Sequence, residues 1–315
     1  MRVWRGEEAR LARFADRPVL ALGFFDGVHR GHQALVRRAL ADARQQGRAA
    51  GVLTFEPHPL TVVKPGRTVE LLTTEEEKER LLAGLGLDEA VIYPFSRSLA
   101  GLPAEAFVRE ILVDQLAVAE VVVGYNFTFG AGGAGHYGLL RRQGEVLGFR
   151  AVMIPPVTVH RKVVSSTAIR ERLMAGQVDE AWRMLGYPYF VSGRVGRGAG
   201  RGQKLGFPTA NLELPPEKLI PRDGVYVAGS TLPGEQSERL SVAAVGRALT
   251  FAGDRRQVEV HLPGYTGDLY GAAVKVSFYR RLREMRRFPS REALQAQVSE
   301  DVRRAEALWP FVYSG

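Results

Sequence analysis

Pro18-Val19-Leu20-Ala21-Leu22-Gly23-Phe24-Phe25-Asp26-Gly27-Val28-His29-Arg30-Gly31-His32 is the stretch on which the reading of the fold turns. Val19 to Gly23 is a short apolar run bounded by Pro18 and Gly23, and Gln33 to Gln45 carries apolar residues at helical spacing, so the passage reads strand, loop, helix. Two histidines three residues apart fall where the strand gives way to the helix. Open α/β sheets bind ligands at such turns. Backbone N–H groups and the positive end of the helix dipole face a phosphate there, glycines let the backbone approach closely, and imidazoles can donate hydrogen bonds to developing charge. Outside such a turn, a His-x-x-His pair is more often two ordinary histidines.

The alternation continues outward. Ala49 to Phe55 reads as a buried strand, Thr74 to Leu85 as a helix opening with a threonine cap and an acidic first turn, and Ala90 to Tyr93 as another strand. Pro103 to Gln115 is predicted helical, Glu120 to Val123 a strand, Gly138 to Leu147 a helix and Ala151 to Ile154 a strand. Strands alternating with helices predict a parallel sheet covered on both faces, a Rossmann-like α/β domain. From about Phe190 the pattern changes to short alternating runs, Tyr226 to Ser230, Leu240 to Val245, Gln257 to Leu262 and Gly271 to Tyr279, separated by Gly and Pro turns. These predict a small antiparallel β-barrel. Ser290 caps a last helix that runs with helical apolar spacing through Leu308 to Pro310. The boundary is expected near Gly186 to Tyr189, giving domains 1–186 and 187–315.

With 315 residues, 45% of them apolar, the chain has the composition of a packed globular protein of one large or two ordinary domains. No stretch approaches the roughly 18 uncharged apolar residues of a membrane helix. The opening MRVWRGEEARLARF carries acids and arginines where a signal peptide would be apolar, so a cytoplasmic protein without a membrane partner is expected. The absence of cysteine excludes disulfide frameworks, thiolate zinc sites and cysteine nucleophiles. A net charge of +9 raises the question of nucleic acid. The basic residues, mostly arginine, are scattered among acids, as from Glu75 to Arg80, and no RNP-like or helix-turn-helix signature accompanies them. Small polyanions satisfy the same charge, and nucleic acid is not expected as a partner.

A second informative stretch is Gly200-Arg201-Gly202-Gln203-Lys204-Leu205-Gly206-Phe207-Pro208-Thr209-Ala210-Asn211. A basic glycine-rich loop can cradle phosphates through backbone N–H groups, although glycine runs are also common in barrel turns. It is not a Walker loop, lacking the Gly-Lys-Ser or Gly-Lys-Thr ending. Ser165-Ser166-Thr167-Ala168-Ile169-Arg170 places hydroxyls at a helix start, where they can cap the helix or bind a phosphate, and Arg170 suits pyrophosphate by charge and fork geometry.

The run from Gly23 to His32 resembles the His-x-Gly-His signature of nucleotidyltransferases, and in its whole form resembles the prokaryotic bifunctional riboflavin kinase and FAD synthetase family. Thr54-Phe55-Glu56-Pro57-His58-Pro59, Gly124-Tyr125-Asn126-Phe127-Thr128-Phe129-Gly130, the Ser165 to Arg170 segment, Pro208-Thr209-Ala210-Asn211, Val258-Glu259-Val260-His261-Leu262 and Asp268-Leu269-Tyr270-Gly271 follow that family in order over nearly the whole chain. The resemblance implies an N-terminal domain that transfers AMP from ATP to FMN, giving FAD and pyrophosphate, and a C-terminal domain that phosphorylates riboflavin to FMN, with Mg²⁺ assisting both. It implies His29, His32 and Arg170 as catalytic groups of the first reaction. Gly23, Phe24, Asp26, Gly31, His58 and Asn126, with Ser165, Ser166 and Thr167, would bind its nucleotide and flavin. In the second domain it implies Gly202, Lys204, Gly206, Phe207 and Pro208 around the nucleotide, Thr209 and Asn211 as Mg²⁺ ligands, and Glu259 as the base for the riboflavin 5′-hydroxyl. One segment departs from the family, which usually has Arg-Pro-Thr-Phe where this chain has Arg247-Ala248-Leu249-Thr250-Phe251.

Overall fold

A computed structural model of the chain describes residues 1–12, 14, 16–63, 66, 69–196, 207–247 and 256–313. Gly202, Lys204 and Gly206, and the Ala248 to Phe251 departure, lie outside the described residues. Contacts divide the chain into two compact units, one formed by Met1–Leu71 with Glu75–Ser165 and the other by Leu72–Thr74 with Ser166–Gly315.

The first unit is built on six parallel strands, β1 (Arg2–Arg5), β2 (Val19–Leu22), β3 (Ala50–Glu56), β4 (Glu89–Pro94), β5 (Glu120–Gly124) and β6 (Arg150–Ile154), in the order β1-β4-β3-β2-β5-β6. β2 and β5 read as continuous apolar runs because both faces are covered: Val19, Ala21 and Val122 pack with the Arg30–Gln46 helix, while Leu20, Leu22, Val121 and Val123 pack with Phe107, Leu112 and Leu140 opposite. The expected helix over 103–115 forms as a short turn at Ala104–Ala106 followed by Phe107–Gln115 with wider, i to i+5 hydrogen bonding. A hairpin of β7 (Thr158–Val159) and β8 (Lys162–Val163) precedes the second unit.

The second unit is a closed antiparallel barrel of β9 (Tyr189–Gly196), β10 (Thr209–Glu213), β11 (Gly224–Thr231), β12 (Arg239–Arg247), β13 (Arg256–His261) and β14 (Ala273–Arg283), in the order β10-β13-β12-β11-β14-β9. β13 alternates buried Val258 and Val260 with outward residues, as a one-sided strand should. β11 is buried along nearly its whole length because the Arg291–Tyr313 helix lays Val302, Ala305, Leu308 and Trp309 over the outer face of Val225 and Val227. That helix continues through Pro310 rather than stopping there. The Ser166–Met174 and Val178–Leu185 helices pack with the barrel, Trp182 meeting Tyr279 edge-on at 5.4 Å between ring centres, so the contact division falls earlier than the change of pattern near 186.

Glu120, at the amino end of β5, is fully buried beside Asp42, accepts from Gln46 Nε2 at 3.0 Å and lies 3.5 Å from Arg150. Burial, reinforced by Asp42, pushes its carboxyl up to about 7. A carboxyl whose folded value is raised above its unfolded one contributes stability in the protonated form, and this is lost as pH rises toward and through 7. Glu120→Gln is therefore expected to raise the melting temperature relative to the unsubstituted chain at pH 8.5 more than at pH 5, measured by thermal scans at both.

Candidate active sites

In the first unit the strand order reverses between β2 and β5, which lie side by side with Ala21 opposite Val122. The loops leaving their carboxyl ends, 23–29 and 124–129, therefore emerge together at the switch point of the sheet. The first loop is held in a demanding conformation, with Phe25 at φ 58° and Val28 at φ 34°, both in the left-handed region that a β-branched valine disfavours. The chain accepts it because Phe25 and Val28 are anchored in the core, and Gln33 Nε2 donates to the Val28 carbonyl at 2.9 Å. Thr54 Oγ1 donates to the Phe24 carbonyl at 3.1 Å, and Gly23 N–H to Leu53 O, tying the loop to β3.

This scaffold sets His29 at the N-cap of the Arg30–Gln46 helix. Its Nδ1 accepts from the His32 backbone N–H at 3.3 Å, so the neutral ring carries its proton on Nε2. The His29 and His32 rings stack at 3.6 Å with a 14° angle, and Nδ1 of His32 is buried without a hydrogen-bond partner. Burial, then the neighbouring His29 and Lys78, hold the His32 imidazole well below its usual range, hence neutral near pH 7. Two stacked imidazoles at a helix N-terminus, with His32 held neutral, suit an anionic ligand that accepts N–H hydrogen bonds.

Gly31 allows the rings to sit this close. A Cβ there would meet His29 Cε1 at 3.0 Å and Nδ1 at 3.1 Å. Gly31→Ala is expected to push the His29 ring aside and lower the activity of this site by roughly 10- to 100-fold. Because alanine favours the helix, the melting temperature should not fall. Steady-state rates set beside thermal scans check this, and equal activity would show that the ring position is not critical.

Asp26 is buried under the loop, His58 meets Phe24 edge-on at 4.1 Å, and Asn126 is exposed just past β5. The structure thus gathers Gly23, Phe24, Asp26, His29, Gly31, His32, His58 and Asn126 at one end of the sheet. Lys78, which sequence reasoning took for one of many scattered charges, is also there: it is 2% exposed, pairs with Glu75 at 2.8 Å and lies 4.6 Å above the Phe24 ring. Its position on the inward face of a helix with Leu82 was the available signal. Ser165 is the last residue of the first unit, while Ser166, Thr167 and Arg170 open the Ser166–Met174 helix of the second.

On the barrel, the tetrad Pro208 to Asn211 is mostly strand. In β10, Ala210 and Leu212 point inward, leaving Thr209 and Asn211 on the outer face. Register places Asn211 directly opposite Glu259 and Thr209 opposite His261 on β13. Directly opposed side chains stand about 5 Å apart at Cβ, so one hydroxyl, one amide oxygen and one carboxylate share a small outward patch. His261 Nδ1 lies 3.0 Å from the Pro208 carbonyl, and its ring meets Phe207 edge-on at 5.4 Å, fixing the entry of β10. Arg256 braces the start of β13 through Asp223 at 2.7 Å and the Ile220 and Pro221 carbonyls. Neutral oxygens suit a hard cation such as Mg²⁺ when a nucleotide's phosphates supply the charge, so this donor set fits the ion.

Fold and sites together define a two-unit nucleotide-using transferase, with a nucleotidyltransferase-type sheet and a barrel bearing a second, chemically different site. A family model for FAD synthetase matches residues 12–168, and one for riboflavin kinase matches residues 185–309. The chain is similar to the bifunctional riboflavin kinase/FMN adenylyltransferases of Listeria monocytogenes (36% identical, covering 92% of both chains), Escherichia coli K12 (38%, 90% of both) and Bacillus subtilis (34%, 92% of both). It belongs to the bifunctional riboflavin kinase/FMN adenylyltransferase family. A crystal structure from Streptococcus pneumoniae described as a macrolide-efflux protein superposes with a TM-score of 0.85 at 31% identity, covering 93% of this chain and 95% of its own. Among the described residues here, no helix is long and apolar enough to cross a membrane.

Proposed function

We propose that the chain phosphorylates riboflavin to FMN on the barrel and adenylylates FMN to FAD on the α/β unit, with ATP the donor in both reactions. Support comes above all from the match of one family model to each unit, each unit holding a site whose groups suit its reaction.

At the barrel site, the Glu259 carboxylate accepts the proton of the riboflavin 5′-hydroxyl as that oxygen attacks the ATP γ-phosphorus, and ADP leaves. Thr209 Oγ1 and Asn211 Oδ1 are the groups that would hold Mg²⁺, which when bound neutralises phosphate charge. Gly202, Lys204 and Gly206 are assigned to nucleotide binding from the sequence, and Phe207 and Pro208 border the patch.

At the sheet site, a phosphate oxygen of FMN attacks the ATP α-phosphorus and pyrophosphate leaves. The nucleophile is already ionised near neutral pH, so positioning and charge stabilisation do most of the catalysis. His29 Nε2–H and the neutral His32 ring donate toward the α-phosphoryl oxygens. Gly23, Phe24, Asp26, Gly31, His58 and Asn126 shape the nucleotide and flavin pocket; Ser165, Ser166, Thr167 and Arg170 are assigned to phosphate binding from the sequence alone. Dependence on ATP at both sites fits a cytosolic location.

The test is incubation of the purified chain with riboflavin, ATP and Mg²⁺, with and without EDTA, following FMN and FAD by chromatography. Both products are expected, and EDTA should stop them. Absence of flavin products with Mg²⁺ present would overturn the reading, and undiminished turnover in EDTA would remove the metal from it.

A further inference from the structure

We propose that Lys78 is a positioning residue for FMN adenylylation, fixing the Phe24 wall of the site; the inference rests on the functional reading above. The residue lies on the inward face of the Glu75–Gly84 helix and is 2% exposed. An ammonium so buried is costly unless paired, and a methionine of similar length would fill the space without that cost. Among the described residues its ammonium hydrogen-bonds Glu75 at 2.9 Å and also lies over the face of Phe24, 4.6 Å from Nζ to the ring centre.

That contact lies at the strained part of the loop. Phe24 immediately precedes Phe25, whose backbone is left-handed, and its ring touches both Lys78 and, in a T-shaped pair at 4.1 Å, His58. The Phe24 carbonyl is held by Thr54, so fixing the ring fixes the whole residue. The same ammonium adds positive potential where nucleotide phosphates and departing pyrophosphate would gather negative charge, and it helps keep His32 neutral, after burial and His29.

The experiment uses the full chain and five proteins: unsubstituted, Lys78→Met, Phe24→Leu, the double variant, and Lys78→Arg as the conservative rescue. For each, kcat and KM for FMN adenylylation are measured, thermal scans report whether the α/β unit is folded, and riboflavin phosphorylation by the same preparation reports on the barrel. Lys78→Met is expected to lower adenylylation kcat about tenfold with little change in KM, Lys78→Arg to recover most of it, and phosphorylation to stay unchanged. If Lys78 acts through Phe24, the double variant loses no more than the worse single one. Wild-type kcat in Lys78→Met, losses that multiply in the double variant, or no recovery with arginine would overturn the inference. Should the thermal scan show that Lys78→Met fails to fold, Lys78→Gln takes its place in the same cycle under the same criteria. An unsubstituted chain that makes no FAD from FMN would instead overturn the functional reading itself.

Discussion

Glutamine in place of Glu259 is expected to lower riboflavin phosphorylation by about 10³-fold while leaving adenylylation of supplied FMN intact. Glu259 is exposed on β13, directly across the ladder from Asn211, and its neighbours Val258 and Val260 hold the strand by pointing into the barrel. Glutamine is nearly isosteric and stays in the same solvent-facing position, so stability should change by less than about 0.5 kcal/mol. What is lost is the group that takes the hydroxyl proton, and general-base contributions run at roughly 10²- to 10⁴-fold. Initial rates with riboflavin and with FMN as alternative starting flavins separate the two reactions in one preparation. A phosphorylation rate within a few-fold of the unsubstituted chain would reduce Glu259 to an ordinary strand glutamate.

At the other site, His29→Asn is expected to lower FMN adenylylation by roughly 10²- to 10³-fold, the range for removing one preorganised donor. Asparagine is chosen because His29 does two jobs. Its Nδ1 caps the Arg30–Gln46 helix by accepting from His32 N–H, and its ring stacks on His32. An asparagine side-chain oxygen keeps the cap, so stability should fall by no more than about 1 kcal/mol, whereas the Nε2–H donor and the stacked face are gone. Urea titration measures the first quantity and steady-state kinetics the second. Unchanged adenylylation would mean that the stacked pair is merely how this helix begins.

The parts of this account legible in the sequence are those where one element carries its own signal. The β2 run, the following glycines and the helical period beyond Gln33 announce the sheet and its binding turn, because a parallel strand buried on both faces must be apolar throughout. β1 gave no such signal: Arg2-Val3-Trp4-Arg5 is short and half polar, and is a strand because it pairs in parallel with distant β4. β10 is not among the expected runs, since Thr209-Ala210-Asn211-Leu212 is short and mixed, and its alternation shows only once Ala210 and Leu212 are seen inside the barrel. The meeting of Thr209 and Asn211 with Glu259 depends on a register between segments far apart in the chain, which local pattern does not encode. The stacking of His29 on His32 likewise depends on two left-handed non-glycine residues, Phe25 and Val28, held by core contacts rather than by preference. Lys78 looked like a surface charge because lysine usually is one.

The central claim is that one chain uses ATP twice and cuts it at two different phosphorus atoms. The direct measurement supplies riboflavin with ATP labelled either at the γ-phosphate or at the α-phosphate and separates FMN from FAD. The account predicts γ-label in both FMN and FAD, and α-label in FAD alone. FAD without α-label, or FMN without γ-label, would contradict it.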